Sequence, residues 1–452
     1  MATTGQYPER LLVLGGGPAG AAAAMGLAAT GYPVTLISEP RPFAAIEGIS
    51  ERVVDGLHQA GFSQALERLP EPTPRRVTWN GLTSAANRER LIDRQAFDRA
   101  LLADLERAGV RVIRGRVRRL ERCGEGHRVR VTQAEGTRLY PGDFLIEARG
   151  RRAPAGDRQR RCGVASVSLL QRCRGPSLPP GSAVESFAEG WAWMAANGAA
   201  ERYLQLTLDV AHARLPEKAS LTGFILGHLR CLPQAAPFLQ DAEPLGPAHA
   251  RTSTPSHCIE PVGDDWIRIG DAAMAVDPLS GNGIFQALSS ALQAPAVVHT
   301  LLRRPQDGEL AKRFHRQRVA DLFNRYSRIG RDFYAMEWQW ADRPFWAARR
   351  AWPDSEPLHR RFGLSDMRIR LLPVLQGEFI VAREGVVTPD HPLGIWHLGG
   401  VPLAPLVRAL QQGRERPPLD TLAGWPPVSA EQRRLIDNFI AGCRPAPGEQ
   451  RG

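Results

Sequence analysis

A glycine-rich stretch near the start of the chain has the G-x-G-x-x-G spacing that accommodates a dinucleotide pyrophosphate. It directly follows a short apolar run, residues 10–14, and precedes an alanine-rich stretch that ends at Gly31. This order predicts a strand, a tight turn and a helix. The first glycine then permits the turn, the second lets the backbone approach the phosphates, and the third lets the helix lie close to the sheet. The predicted pyrophosphate residues are Gly15, Gly17, Pro18, Ala19 and Gly20.

An acidic residue is expected at the end of the second strand, where a carboxylate binds ribose hydroxyls. Residues 34–37 are predicted to form this strand, and Glu39 lies 24 residues after Gly15. Glu39 is therefore the predicted ribose ligand. A glycine-rich turn in an unrelated α/β protein is the alternative interpretation of the whole segment.

A second segment, residues 266–283, has the composition of another cofactor cradle. A predicted strand ends in Gly270 and an acidic residue, and a Pro/Gly loop then leads into a helix rich in Ala and Leu. The positive end of such a helix suits the electron-rich edge of a reduced flavin. A simple turn role for the acidic residue is the alternative. The predicted contacts are Asp271, Pro278, Gly281, Asn282 and Gly283.

Residues 162–256 predict an antiparallel sheet, with residues 184–193 and 203–210 among its strands. Trp191 and Trp193 are two positions apart, so in a strand they share one face. Both a substrate pocket and ordinary sheet core are consistent with this pattern.

Composition excludes several classes of protein. A chain of 452 residues is long enough for several domains, and its six cysteines lack the spacing of a disulfide framework or a zinc site. We therefore expect no metal and a reducing cytoplasm. The N-terminal apolar stretch is interrupted by glycines, so we expect no targeting segment and no membrane span. The net charge of +11 comes from dispersed arginines, which argues against nucleic-acid binding but leaves open an acidic protein partner.

Together these motifs resemble the superfamily of FAD-dependent aromatic hydroxylases and halogenases, the group A flavoprotein monooxygenases. The resemblance covers about residues 10–340 and includes the glycine turn, the Asp-Arg94-x-x-Phe-Asp helix, residues 143–150, Gly270-Asp271 and Asp277-Pro278. By this resemblance, Arg94 contacts the FAD pyrophosphate region. Asp271 contacts the ribityl or pyrophosphate moiety, and residues 278–283 contact the isoalloxazine.

The resemblance implies an α/β fold with a Rossmann-like FAD-binding domain, an inserted antiparallel-sheet substrate domain and a small C-terminal helical domain. The implied boundaries are 1–75, 90–165 and 256–340 for the FAD-binding domain, 76–89 and 166–255 for the substrate domain, and 341–452 for the mainly helical C-terminal domain.

The chain also departs from family patterns. Arg149 stands where the family usually has Thr or Asp, and Ala153 stands where it has Ser. Halogenases carry an early lysine and a Trp-x-Trp-x-Ile-Pro motif. This chain has no lysine before Lys218, and its Trp-Ala-Trp segment is not followed by Ile-Pro. These departures disfavour halogenation.

Within the superfamily, residues 47–50, residues 190–194 and the C-terminal extension look most like the flavoprotein monooxygenases that mature tryptophylquinone cofactors. Those enzymes oxygenate a tryptophan in another polypeptide. The resemblance implies that NAD(P)H reduces FAD, that O2 is the co-substrate, and that a flavin hydroperoxide hydroxylates the indole of a protein or peptide partner. The sequence identifies no catalytic base.

Four other functions share part of this evidence. Hydroxylation of a small aromatic metabolite uses the same chemistry, and an FAD-dependent halogenase is a further alternative. An isoprenoid reductase shares the FAD motifs but needs no oxygen. A non-enzymatic, flavin-stabilised assembly factor would bind a maturing subunit without consuming oxygen. Fold by itself does not separate these functions.

Overall fold

The computed structural model describes residues 9–124, 126–154, 160–413 and 428–442. The chain divides into two compact units. Unit 1 is built from residues 1–295 and 322–355, and unit 2 from residues 296–321 and 356–452. Strands and helices are numbered below in chain order.

A five-stranded parallel sheet forms one layer of unit 1. All four residues of its central strand, Leu11–Leu14, are buried, as expected for a parallel strand covered on both faces. A helix rich in alanine follows this strand, and its small side chains allow close packing on the sheet. In spatial order the strands are β19 (Trp266–Arg268), β10 (Phe144–Glu147), β1 (Leu11–Leu14), β2 (Val34–Ser38) and β6 (Arg111–Arg114).

Helices and two small sheets complete this part of unit 1. The helices are α1 (Pro18–Ala29), α2 (Glu51–Ala60), α3 (Ser63–Glu67) and α4 (Arg94–Arg107). One antiparallel sheet contains β7 (Arg116–Cys123), β8 (Gly126–Gln133) and β9 (Gly136–Gly142). The other contains β11 (Arg160–Cys162), β18 (Ser256–Cys258) and β20 (Met274–Ala275).

A nine-stranded mixed sheet forms the second layer of unit 1. In spatial order its strands are β16 (Glu243–Pro244), β12 (Ser166–Arg174), β15 (Glu201–Asp209), β14 (Gly190–Ala196), β13 (Gly181–Phe187), β4 (Thr73–Trp79), β5 (Leu82–Asp93) and β3 (Ile46–Ile49), and β17 (His249–Thr252) pairs with β12. The contact between β13 and β4 is parallel, whereas the other described pairs of this sheet are antiparallel.

The two faces of this sheet pack against different partners. One face, which includes Met194 and Leu206, packs against α5 (Leu221–Leu229) and α6 (Ala236–Leu239). The opposite face carries aromatic side chains and packs against α9 (Pro344–Arg350). Residues 341–355, which the sequence assigned to a C-terminal domain, lie in unit 1 because Phe345 and Trp346 belong to this aromatic cluster.

Residues 184–193 were predicted as one strand and instead belong to two. Strands β13 and β14 pair as an antiparallel hairpin in which Phe187 lies opposite Gly190. A side chain at position 190 would place its Cβ 2.0 Å from the Thr207 carbonyl oxygen. The prediction was wrong here because the two turn residues, Ala188 and Glu189, are not among the residue types that usually mark a turn.

Unit 2 combines helices with a β-hairpin. Its core includes Met367, Val386, Leu406 and Ile436. The hairpin turns at Gly377, which has a φ of +61°. This hairpin was not predicted from the sequence, because Pro373 interrupts the pattern of a strand. The elements are β21 (Arg368–Gln376), β22 (Phe379–Val387), β23 (His397–Leu398), β24 (Val401–Pro402), α10 (Leu403–Gln411) and α11 (Ala430–Gly442), with parts of α7 (Gly283–Arg303) and α8 (Gly308–Ala335).

In the described parts of the chain, no helix has the length and apolar character needed to cross a membrane.

Candidate active site

The glycine turn after β1 leaves space for a ligand at the start of α1. Gly15 has a φ of +110°, and a Cβ there would lie 2.4 Å from the Ala148 carbonyl oxygen, so the position requires glycine. A Cβ on Gly20 would lie 1.9 Å from the Gly15 carbonyl oxygen. Glycine at this position therefore lets the helix lie close to the turn.

Gly17 differs from its two neighbours in the motif. It caps α1, Pro18 is the first residue of that helix, and a Cβ on Gly17 would meet no atom within 4 Å. The N–H groups of the first turn have no intrahelical acceptor and so face this space. The arrangement fits a pyrophosphate, whose negative charge the helix end favours.

Glu39 directly follows β2, at the carboxyl edge of the parallel sheet. Its carboxylate lies 3.7 Å from Arg116 and 3.9 Å from Arg152, distances beyond those of a hydrogen bond. The side chain is exposed at the edge where α/β proteins bind nucleotides. Ribose binding by Glu39 stays a prediction.

Arg94 begins α4 directly after β5. Asp93 caps the helix by accepting a hydrogen bond of 2.8 Å from the Ala96 N–H. The buried guanidinium donates to Glu47 at 2.5 Å and to Asp98 at 3.1 Å. Burial lowers the pKa of Arg94, but the two carboxylates outweigh it and raise the pKa overall. The Nε atom of Arg94 is buried and has no hydrogen-bond partner among the described residues, so one donor is available to a ligand.

Asp271 lies in a 3-10 turn, Gly270–Ala272, at the end of β19. Gly270 has a φ of +55°, and a Cβ there would stand 2.6 Å from the Ala19 Cβ, so glycine brings this turn against α1. The Asp271 side chain is 35% exposed and lies 3.5 Å from the Arg151 guanidinium. Burial nevertheless raises the pKa of Asp271, which is the behaviour of a carboxylate in a cleft.

The loop before α7 forms the second cradle. Asp277 caps the 3-10 turn Pro278–Ser280 by accepting a hydrogen bond of 2.9 Å from the Leu279 N–H. Asn282 donates to the Ser280 carbonyl oxygen at 2.7 Å. A Cβ on Gly283, the first residue of α7, would meet no atom within 4 Å. The amino end of α7 therefore opens onto free space, which fits the electron-rich edge of a flavin.

The aromatic face of the large sheet contacts this loop. Trp191 and Trp193 lie on one face of β14, as their spacing predicted, and both are buried. Leu279 of the loop packs against the cluster to which both belong. The cluster consists of Val77, Trp79, Val184, Trp191, Trp193, Ala195, Tyr203, Tyr334, Trp340, Phe345 and Trp346, with Ile46, Leu91 and Leu279. Pocket formation by the two strand tryptophans stays a prediction.

Tyr334 joins the aromatic face to residues 277–282 before α7, which we call the flavin loop because the isoalloxazine is its predicted ligand. Its hydroxyl donates to the Asp277 carboxylate at 3.1 Å and accepts a hydrogen bond of 3.3 Å from the Trp191 indole. Burial and the adjacent carboxylate raise the pKa of Tyr334. Burial likewise raises the pKa of Asp277. Sequence reasoning missed Tyr334 because it lies in α8, 57 residues from Asp277, and no local pattern marks it.

A small pocket lies against the same carboxylate and phenol. Its lining includes Val276, Asp277, Tyr326, Gly330, Tyr334 and Trp352. Among the described residues, no three His, Cys, Asp or Glu side chains are arranged to hold a metal ion.

Comparisons with known proteins agree with this fold. No family model matches the chain. A solved structure of QhpG, a peptidyl tryptophan dihydroxylase essential for tryptophylquinone cofactor biogenesis, is 48% identical. It superposes with a TM-score of 0.86 over 97% of this chain and 99% of that one.

Two curated proteins are more distant relatives. A putative FAD-dependent oxidoreductase, LodB of Marinomonas mediterranea, is 25% identical over 75% of this chain and 96% of its own length. A tryptophan 2-halogenase of Chondromyces crocatus is 26% identical over 75% of this chain and 70% of its own length.

Proposed function

Because the chain belongs to the superfamily of FAD-dependent aromatic hydroxylases and halogenases, we propose that it hydroxylates a tryptophan side chain in a polypeptide during maturation of a quinone cofactor. The superfamily, the fold class and the assignment as an FAD-dependent oxidoreductase, all predicted from sequence, are confirmed. The observation that supports this substrate is the 48% identity to a peptidyl tryptophan dihydroxylase over nearly the whole of both chains.

The reaction needs a reductant and oxygen. Bound FAD, once reduced by NAD(P)H, supplies the activation of O2 that the side chains of a protein cannot provide. Each hydroxylation consumes one O2, one NAD(P)H and one proton. One oxygen atom is inserted into a C–H bond of the indole, and the other leaves as water together with NAD(P)+. A second hydroxyl group on the ring requires a second turnover.

The residues of the chain hold the cofactor and control its surroundings. The space at Gly17 and the free donor of Arg94 suit the pyrophosphate, and the amino end of α7 suits the isoalloxazine. The aromatic face lies next to the flavin loop and excludes water from it, which protects a reactive oxygen species from decay. An indole is electron-rich without losing a proton, so the scheme requires no general base.

An exposed apolar patch supports a polypeptide substrate. The patch consists of Leu82, Phe333, Met336 and Trp338, all exposed. Two hydrogen bonds join residues 337 and 338 to the tip of the hairpin formed by β4 and β5. The Asn80 N–H donates to Glu337 at 2.6 Å, and the Trp338 N–H donates to the Asn80 side chain at 3.1 Å. Phe333 directly precedes Tyr334. Clustered exposed apolar side chains favour protein binding, and here they adjoin the aromatic face.

The test is oxygenation of a tryptophan-containing polypeptide by the FAD-loaded protein with NAD(P)H and ¹⁸O2. We expect the target tryptophan to gain one or two labelled oxygen atoms by mass spectrometry, with one NAD(P)H consumed for each atom gained. A polypeptide with Phe at the target position is the matched control.

Other outcomes separate the remaining functions. Faster turnover of free tryptophan or a phenol than of the polypeptide would assign a small-metabolite hydroxylase. A halogenated product in the presence of chloride or bromide would assign a halogenase. Reductant consumption without oxygen would assign a reductase, and tight polypeptide binding without any oxygen consumption would assign a binding role.

A further inference from the structure

Arg75 lies on the face of the large sheet that carries the aromatic cluster. It pairs with Ser182 along the parallel contact between β4 and β13. Side chains two positions apart in a strand share a face, and the next two on this face of β4, Val77 and Trp79, belong to the aromatic cluster. Arg75 is therefore a cationic side chain on the sheet face that carries the aromatic cluster.

The guanidinium of Arg75 reaches the flavin loop. Its Nη1 atom lies 3.7 Å from the position that a Cβ atom would take on Gly281. Gly281 ends the turn Pro278–Ser280 and has a φ of +63°. The charge thus borders the loop that fits the isoalloxazine, at the amino end of α7.

The hydrogen-bonding capacity of Arg75 is largely unused. Its Nη1 lies 3.5 Å from the Glu89 carboxylate, a contact that is long for a hydrogen bond. Glu89 also accepts a hydrogen bond from the Ser182 hydroxyl. The Nε atom of Arg75 is buried and without a hydrogen-bond partner in the part of the chain that the structure describes. A guanidinium has five N–H donors, so most of them remain for a ligand.

Two other arginines near residues 276 and 277 have structural partners instead. Arg151 donates to the carbonyl oxygens of Thr254 and Val276. Arg349 donates to the Asp209 carboxylate at 2.9 Å and to the Ser166 hydroxyl at 2.7 Å. These contacts hold loops and strands together, whereas the few contacts of Arg75 leave its charge directed at the loop.

We propose that Arg75 stabilises the negative charge of reduced FAD, an inference that rests on FAD binding in the proposed function. Oxidised isoalloxazine is neutral, and uptake of two electrons and one proton leaves the ring with one negative charge. A preorganised, partly desolvated cation stabilises such a charge more than bulk water does. Arg75 therefore makes the protein bind reduced FAD more tightly relative to oxidised FAD.

The test compares the affinities of the protein for the two redox states of FAD. The ratio of the two dissociation constants follows from the difference between the midpoint potentials of bound and free FAD, and a titration with oxidised FAD then gives each constant. We expect Arg75→Gln to lower the preference for reduced FAD about tenfold and Arg75→Lys to retain most of it. Arg76→Gln is the matched control, because Arg76 is exposed and points to the opposite face of β4.

A second variant keeps the proposal testable if Arg75→Gln does not fold. Glu89→Gln removes the carboxylate that partly neutralises Arg75, so it should shift the preference further toward reduced FAD. Sulfite binding to oxidised FAD gives an independent measurement, since sulfite also leaves negative charge on the ring. Arg75→Gln should weaken sulfite binding, and Glu89→Gln should strengthen it.

An unchanged ratio and unchanged sulfite affinity in folded Arg75→Gln, or a Glu89→Gln shift in the other direction, would overturn the proposal. None of these measurements uses a polypeptide substrate. If the potential shifts as expected but the wild-type protein does not oxygenate tryptophan, the proposed function fails and the role of Arg75 stands. If the wild-type protein oxygenates tryptophan but the potential does not shift in Arg75→Gln, Arg75 has a structural or substrate-binding role.

Discussion

The pyrophosphate cradle and the aromatic face of the large sheet are built in opposite ways. The cradle is six consecutive residues, Gly15–Gly20, whose working parts are backbone N–H groups and an absent side chain. The aromatic face is assembled from strands β4, β13, β14 and β15 and from residues 334–346, and its working parts are large side chains. Adding a methyl group to the cradle should therefore weaken ligand binding. Truncating a large side chain of the aromatic face should instead lower the stability of the fold.

The largest expected effect is on the aromatic face. Trp346 is fully buried and donates a hydrogen bond of 2.9 Å to the Phe187 carbonyl oxygen. Trp346→Ala should lower the free energy of unfolding by ~4 kcal/mol, because it leaves a cavity and an unsatisfied carbonyl. Urea denaturation measures this. Trp338→Ala is the control, since Trp338 is 71% exposed and should change stability by less than ~0.5 kcal/mol. Equal losses in both variants would contradict the comparison.

The cradle should show the reverse behaviour. Gly17→Ala should weaken FAD binding about 100-fold, or ~2.8 kcal/mol, because the added methyl group occupies the space of the phosphates. The same change should leave the melting temperature of the apoprotein unchanged, since among the described residues no atom beyond its chain neighbours lies within 4 Å of the new Cβ.

Gly227→Ala is the matched control for the cradle. Gly227 is exposed in α5, and a Cβ there also meets no atom within 4 Å, so FAD affinity should not change. Comparable loss of FAD affinity in both variants would show that the space at Gly17 is not a binding site.

Tyr334→Phe tests whether the two kinds of region are coupled. The variant loses the hydrogen bonds to Asp277 and from Trp191, and we expect a loss of ~1.5 kcal/mol in the free energy of unfolding. FAD affinity should fall several-fold, because Asp277 holds the flavin loop. Isothermal titration with FAD measures the second effect, and an unchanged affinity would separate the loop from the aromatic face.

The smallest effect is a pH dependence at Asp277. Burial raises the pKa of Asp277 above its ordinary value of 3.8, so the folded state favours the protonated form. The stability that this shift contributes is fully present below the unfolded-state pKa and is lost as the pH rises through the folded-state pKa. Asp277→Asn should therefore become more stable relative to wild type as the pH rises above about 4. Parallel stability curves for the two proteins would contradict this assignment.

Local patterns in the sequence predicted the parts of the molecule that depend on neighbouring residues. The glycine spacing predicted the turn at Gly15–Gly20, whereas the fold class was implied by the resemblance of the combined motifs to a known superfamily. The period of two in a strand placed Trp191 and Trp193 on one face. These features follow from backbone geometry within a few residues, so a single sequence contains them.

Features that depend on distant residues were not predictable in this way. Tyr334 meets Asp277, and Arg75 meets Gly281, only after the large sheet has folded against the flavin loop. The hairpin of β13 and β14 was also missed, because its turn residues, Ala188 and Glu189, are not typical of turns. The contacts of Glu39, Arg94 and Asp271 with a bound cofactor remain predictions.

The aromatic cluster also exposes the enzyme's own tryptophans to oxidation. Several of the ten tryptophans of the chain lie beside the flavin loop, and each is chemically the same kind of ring as the proposed substrate. Trp79, Trp191 and Trp346 each donate their indole N–H to a fixed acceptor, which holds the rings in place. An oxygenase of this design must protect its own tryptophans. Enzyme recovered after turnover without substrate should therefore carry oxidative damage at the exposed Trp338 before these anchored rings.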